Sequence, residues 1–83
     1  MKGVVHEINA SRCMVAIKTS EGYSIVELVD SDAIEVGDHV RWREDTQLGS
    51  GQLENLSRRT SFEVYFQNHW VSEQQLRAQL QYQ

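Results

Sequence analysis

The chain has 83 residues, 40% of them hydrophobic, and a formal net charge of −4. This length supports one hydrophobic core and excludes a second domain, because independent domains need about 50 residues or more. The single cysteine, Cys13, excludes an intrachain disulfide, and no apolar run approaches the roughly 18 residues of a membrane-spanning helix. The N-terminus meets a charge at Lys2 before a signal-peptide core can form, so a cytoplasmic protein is expected.

The acidic charge is concentrated in one segment. Between Thr19 and Val40 there is no lysine or arginine and there are six acids: Glu21, Glu27, Asp30, Asp32, Glu35 and Asp38. Proteins that bind nucleic acid mainly by neutralising phosphates are usually basic, so the overall charge argues against that class. The acidic segment is typical of a solvated rim that keeps a small protein in solution.

The first half of the chain predicts a three-stranded meander. Residues 3–8 and 13–19 are rich in β-branched side chains and predict a hairpin joined by residues 9–12. A turn at residues 20–22 leads to a third strand at residues 23–28. Alternation along that strand puts Ser24, Val26 and Leu28 on one face and Tyr23, Ile25 and Glu27 on the other.

An acid-rich crossing at residues 29–33 and a Gly37-Asp38 turn precede a fourth strand at residues 39–43. Alternation there predicts that Val40 and Trp42 point into the core. A loop at residues 44–51 and a fifth strand at residues 52–56 follow, and the sequence contains no proline. Short strands at this spacing, with little helical pattern, indicate a small five-stranded β-barrel rather than an α/β fold.

The tail, residues 58–83, predicts an extra strand and a helix that extend the barrel of residues 1–57 within one domain. Residues 62–66 alternate, with Phe62, Val64 and Phe66 on one side, and a turn is expected at residues 67–68. Ser72 and Gln75 fit a capping box, and Val71 and Leu76 occupy the flanking staple positions of a helix at residues 73–82. A ten-residue helix is marginal alone, so it must dock. The expected sites are the Phe62, Val64 and Phe66 face or an open end of the barrel.

Short motifs follow one another in a recognisable order: Gly3-Val4-Val5, Asn9-Ala10, Ile17, Thr19, Gly22, Val26, Gly37-Asp38-His39-Val40 and the strand at residues 51–56. Over residues 3–57 this order resembles the cold-shock domain, which implies an OB-type barrel. The whole chain, with its Phe-Glu-Val-Tyr-Phe-Gln-Asn-His tail, resembles a family of small uncharacterised bacterial proteins.

The resemblance implies single-stranded nucleic-acid binding, but the residues that perform it differ. Cold-shock domains stack bases on aromatic side chains of their first three strands, at about 1–3 kcal/mol per base. The matching positions here are Glu7, Met14, Ala16, Ile25 and Glu27. None is aromatic, and the two carboxylates would repel phosphate. Tyr23 is the only aromatic residue nearby.

The reactive side chains do not predict an enzyme. Cys13, His6, His39 and His69 show no metal-ligand spacing, and Gly49-Ser50-Gly51 lacks the lysine and helix of a phosphate-binding loop. A structural role for a small thiol on a strand is the ordinary interpretation. The sequence therefore predicts a binding module without catalytic residues, metal or cofactor.

Two kinds of ligand remain open. The first is single-stranded RNA or DNA, bound weakly by a basic strip and neighbouring rings; the tentative residues are Arg41, Arg43, Arg58, Arg59 and Tyr23. The second is a protein partner or a second copy of the chain, bound through Tyr65, Trp70, Ile25 and Met14. The competing interpretations are scattered surface arginines for the strip, and packing beneath the helix for Trp70.

Overall fold

The computed structural model describes residues 1–29 and 34–76. Six strands and two short helical segments make up this part of the chain. They are β1 (Lys2–Asn9), a 3-10 turn (Ala10–Arg12), β2 (Met14–Thr19), β3 (Gly22–Leu28), β4 (His39–Arg41), β5 (Gly49–Asn55), β6 (Thr60–Val71) and a helical turn at residues 73–76. Residues 30–33 of the acidic crossing and residues 77–82 of the predicted helix lie outside the described residues.

The strands form a closed antiparallel barrel in the order β1-β2-β3-β6-β5-β4. This confirms the predicted all-β, OB-type barrel with a short C-terminal helix. The strand count differs, because β6 is part of the barrel wall and not an extension. Its residues pair with β3, as in Val26 with Phe66, and with β5, as in Leu53 with Phe62. The turn expected at residues 67–68 is wrong, since β6 continues to Val71.

Alternating side chains from every strand fill the barrel. The core consists of Val5, Val15, Ile17, Val26, Val40, Trp42, Leu53, Val64 and Phe66, with Phe62 partly buried against it. The inward positions predicted for β4 and for the tail strand are therefore confirmed. Gly51 provides room for this packing, because a Cβ there would lie 2.8 Å from the Phe66 ring.

A second apolar cluster lies on the outer face of β2 and β3. It contains Ala16, Tyr23, Ile25, Val71 and Leu76, and Met14 packs at its edge. The helical turn thus docks on the outside of the barrel, not on the Phe62, Val64 and Phe66 face or at a barrel end as expected. Closure of the barrel by β6 turns that face inward, which leaves the apolar outer face of β2 and β3 as the surface that the turn covers.

The start of the helical turn forms as predicted. The Ser72 hydroxyl accepts a hydrogen bond from the Gln75 amide at 3.2 Å, and the Gln75 side chain accepts one from the Ser72 amide at 3.2 Å. Val71 and Leu76 meet in the outer cluster as a hydrophobic staple. Local hydrogen bonds and one apolar contact therefore set the angle at which the chain leaves β6.

Candidate functional site

The outer face of β1, β2 and β3 is the surface that the resemblance assigns to nucleic acid. In this protein the chain itself covers the β2 and β3 part of that face. Ala16 and Ile25 are fully buried and Tyr23 is only 7% exposed beneath the Val71 and Leu76 side chains. Tyr23 and Ile25 were candidate contact residues in the sequence analysis. Both are buried on the outer face of the barrel, because the C-terminal segment occupies the space that a ligand would need.

Acidic side chains surround this covered face. Glu7 lies opposite Ala16 in the β1–β2 register, and Glu27 lies opposite Met14 in the β2–β3 register. Both glutamates are exposed, and Glu27 accepts a hydrogen bond from the Gln67 side chain at 2.8 Å. A phosphate backbone crossing these strands would meet negative charge, and the exposed ring on β1–β3 is the His6 imidazole, 5.0 Å from the buried Tyr23 ring.

Two of the candidate arginines form ion pairs on the barrel surface. Arg41 Nε donates to Glu54 Oε1 at 2.8 Å across the β4–β5 ladder, and Arg43 donates to Asp45 Oδ2 at 3.0 Å. Exposed pairs of this kind contribute little to stability. They do reduce the local positive potential, and phosphate binding depends on a positive potential.

Arg58 belongs to a structural network. Its Nε donates to Asp38 Oδ2 at 2.8 Å, and its terminal nitrogen lies 3.0 Å from Glu35 Oε1. Asp38 also accepts from the Asn55 side chain at 2.9 Å and from the Glu35 amide at 3.0 Å. Burial alone would raise the pKa of Asp38, but these hydrogen bonds and the Arg58 charge outweigh it and lower the pKa. The network ties the turn before β4 to the β5–β6 hairpin.

Arg59 follows in the same hairpin with a left-handed φ of 56°. It is exposed and forms no ion pair within the described part of the chain. The four candidate arginines therefore do not present a continuous basic strip. Three of them have carboxylate partners, and Arg59 has none among residues 1–29 and 34–76.

Arg41 and Arg43 do share a surface groove of about 460 Å³. It opens where β4 ends and its continuation diverges from β5. One wall is formed by Met1, Arg41, Trp42, Arg43 and Glu44, and the other by Gln52, Glu54 and Ser61. Because cationic and anionic side chains alternate around it, the groove does not have the single sign of charge that steers polyanions.

Two large rings of β6 remain exposed. Tyr65 is 46% exposed and points outward between its cross-strand neighbours Glu27 and Ser50, as the alternation predicts. Trp70 is 44% exposed and has a left-handed φ of 58°. Its ring lies 5.2 Å from that of His69 rather than beneath the helical turn. Of the four residues predicted for protein contact, these two are accessible, Met14 is half-buried and Ile25 is buried.

His69 has a role that sequence reasoning missed. Its ring stacks on Trp42 with centroids 6.2 Å apart, its Nδ1 lies 2.9 Å from Ser24 Oγ, and its Nε2 is buried without a hydrogen-bond partner. Desolvation lowers the pKa of this imidazole, which favours the neutral ring. Ser24 is fully buried, so the Ser24–His69 pair is inaccessible to a substrate and acts in packing. A prediction that extended the tail strand beyond Phe66 would have placed His69 in the barrel wall.

Other site types find no support in the described residues. No group of three or more histidine, cysteine or acidic side chains is arranged to hold a metal there. Within the same residues, no helix has the length and apolar character needed to cross a membrane. Comparison of the chain with protein-family models, with curated proteins and with solved structures finds no match, so the resemblance to the cold-shock domain stays a prediction.

Proposed function

We propose that this chain is a non-catalytic protein-binding module whose contact surface centres on the outward side of β6. The observation that carries the proposal is the exposure of Tyr65 on a barrel whose other candidate face, on β2 and β3, is covered by its own C-terminal segment. Tyrosine and tryptophan are enriched at interface hot spots, because each combines a large apolar ring with a polar atom.

The surroundings of Tyr65 suit a protein contact. Ser50 on one side is small, and Glu27 on the other side already accepts a hydrogen bond from the Gln67 side chain. The ring therefore stands beside polar groups that form a rim, with little competing bulk on the β5 side. An accessible aromatic anchor bordered by polar side chains is the usual composition of a transient interface.

Site-specific photocrosslinking tests this proposal. A benzophenone amino acid at position 65 is expected to capture protein from nuclease-treated lysate, whereas the same group at the exposed turn residue Glu21 is not. Tyr65→Ala should lower the urea midpoint only modestly, because the residue is 46% exposed and outside the core in the folded chain. Equal capture from both positions, or capture that disappears on nuclease treatment, would contradict a protein contact at β6.

Single-stranded nucleic-acid binding is the second candidate, and the shared groove of Arg41 and Arg43 supports it. The sheet face is covered, and Arg41 and Arg43 are paired with acidic side chains. We therefore expect only non-specific binding, with a Kd of about 10⁻⁴–10⁻⁶ M at physiological salt. Fluorescence anisotropy with mixed-sequence DNA and RNA single strands measures it. Sub-micromolar binding that is lost in Arg41→Ala or Arg43→Ala would favour this candidate over protein binding.

A further inference from the structure

The strand β5 is paired unequally on its two sides. It pairs with β6 along its whole length, from Gly49 opposite Phe66 to Asn55 opposite Thr60. Its other side pairs with β4 only at Asn55 and Glu54. The part of β5 at residues 49–52 is therefore an edge inside an otherwise closed barrel, and it borders the groove described above.

The direction of the backbone groups on this edge follows from the ladder itself. The Leu56 amide donates to the His39 carbonyl at 2.7 Å, so alternate residues of β5 present their N–H and C=O groups to the β4 side. Counting back from Leu56 in steps of two, these residues are Glu54, Gln52 and Ser50. Only Glu54 still lies opposite a residue of β4.

The chain beyond β4 does not complete the ladder. Arg43 would stand opposite Gln52 in the same register, but its carbonyl accepts from the Thr46 amide at 3.0 Å in a turn. Within the described residues, no backbone hydrogen bond joins the connection at residues 42–48 to residues 49–53. The backbone groups of Gln52 and Ser50 on this side therefore pair with no other strand among the described residues, and Gln52 also lines the groove.

The side chains of this edge offer none of the usual protection against pairing. Natural edge strands carry lysine, proline, inward-pointing charges or a covering loop that discourage the addition of another strand. The sequence Gly49-Ser50-Gly51-Gln52 contains no charge, no proline and no large apolar side chain. Both Ser50 and Gln52 are exposed, and the groove of about 460 Å³ reaches the edge at Gln52.

We propose that this edge binds an extended segment of a partner protein by strand addition, a mode that rests on the proposed protein-binding function and specifies it. The partner backbone pairs with Ser50 and Gln52 along the unpaired side of β5. Since Ser50 is the cross-strand neighbour of Tyr65, a partner side chain beside Ser50 on the outer face lies next to the exposed ring. An apolar residue at that position fits best.

The size of the edge selects an extended segment over a second barrel. Four residues span about 13 Å and provide backbone groups from two of them, enough for about four hydrogen bonds. Stable interfaces between folded proteins bury about 1,200–2,000 Å² in total, which an edge this short does not supply. A single strand can pair with the edge without such an area.

The test uses the full chain labelled with ¹⁵N and a capped peptide, Lys-Thr-Val-Thr-Val-Thr-Lys, as the probe. Amide shifts should concentrate at residues 49–53, and intermolecular backbone NOEs should join the peptide to Ser50 and Gln52. Ser50→Pro removes an N–H on the unpaired side of β5 without breaking the β5–β6 ladder, so peptide binding should fall about tenfold. Ser50→Ala retains the amide and should bind like the original chain.

Amide hydrogen exchange keeps the proposal testable if Ser50→Pro fails to fold. In the original chain the amides of Ser50 and Gln52 should exchange quickly, and those of Gly51 and Leu53 slowly. Slow exchange at all four, no peptide-induced shifts at millimolar concentration, or unchanged binding in a folded Ser50→Pro variant would overturn strand addition. If crosslinking at Tyr65 still captures a protein, the proposed function survives that result; if crosslinking fails as well, both are wrong.

Discussion

Replacing Leu76 with alanine probes the cover on the outer sheet face. Leu76 is 2% exposed and packs in one cluster with Ala16, Tyr23, Ile25 and Val71. The substitution removes three carbon atoms, which at about 0.8 kcal/mol for each buried methylene corresponds to about 2.4 kcal/mol of transfer free energy. Because the cluster lies on the barrel surface, water and neighbouring side chains can fill the space, and the enclosed-cavity penalty is largely avoided. We expect a loss of about 2 kcal/mol, at the low end for Leu→Ala substitutions.

Urea unfolding measures this loss, with Gln74→Ala as the matched control, because Gln74 is exposed in the same helical turn. A chain of 83 residues has a total stability of about 4–12 kcal/mol, so the expected change is a substantial fraction of it. The control should change stability by less than about 0.5 kcal/mol. If Leu76→Ala shifts the midpoint no more than Gln74→Ala does, the helical turn does not stabilise the outer face, and the reason given for an inaccessible Tyr23 fails.

Three further substitutions test other parts of the molecule. Ser72→Ala removes the acceptor of the capping box and should cost about 1 kcal/mol in urea unfolding, while an unchanged midpoint would show that the box is not formed in solution. Asp38→Asn removes the carboxylate that accepts from three donors and should cost about 2 kcal/mol. Because the pKa of Asp38 is lowered, the carboxylate's contribution to the free energy of unfolding is complete above the ordinary pKa of 3.8 and is lost as pH falls through the folded-state pKa. If Asp38→Asn loses stability in acid as the original chain does, this assignment is wrong. Burial lowers the pKa of His69, so the unfolded chain binds that proton more readily; stability should fall as pH drops below the ordinary value of 6.5 and level off below the folded-state pKa. The fall in the urea midpoint across this pH range should be absent in His69→Gln. If the fall persists in that variant, another group causes it.

Local patterns in the sequence determined the features that depend on near neighbours. Alternation placed Val40 of β4 and Trp42, just after β4, inside, and the same rule oriented Phe66 and Tyr65 of β6 in opposite directions. The capping box formed because its two hydrogen bonds join residues three positions apart. In each case the deciding energy comes from side-chain period or from groups close in the chain, and both are legible without a tertiary structure.

The tertiary structure alone decided which face of each strand stays accessible. Alternation showed that Ile25 points away from the barrel core, but it could not show that Leu76, from the far end of the chain, would cover it. The same holds for the pairs Ser24–His69 and Asp38–Arg58, whose members lie 45 and 20 residues apart. Strand partners depend on long-range register and on what closes the barrel, so the insertion of β6 between β3 and β5 determined which surfaces were buried. The edge of β5 arises from the same cause, since it exists only because the chain turns away at Arg43 before β4 reaches Gln52.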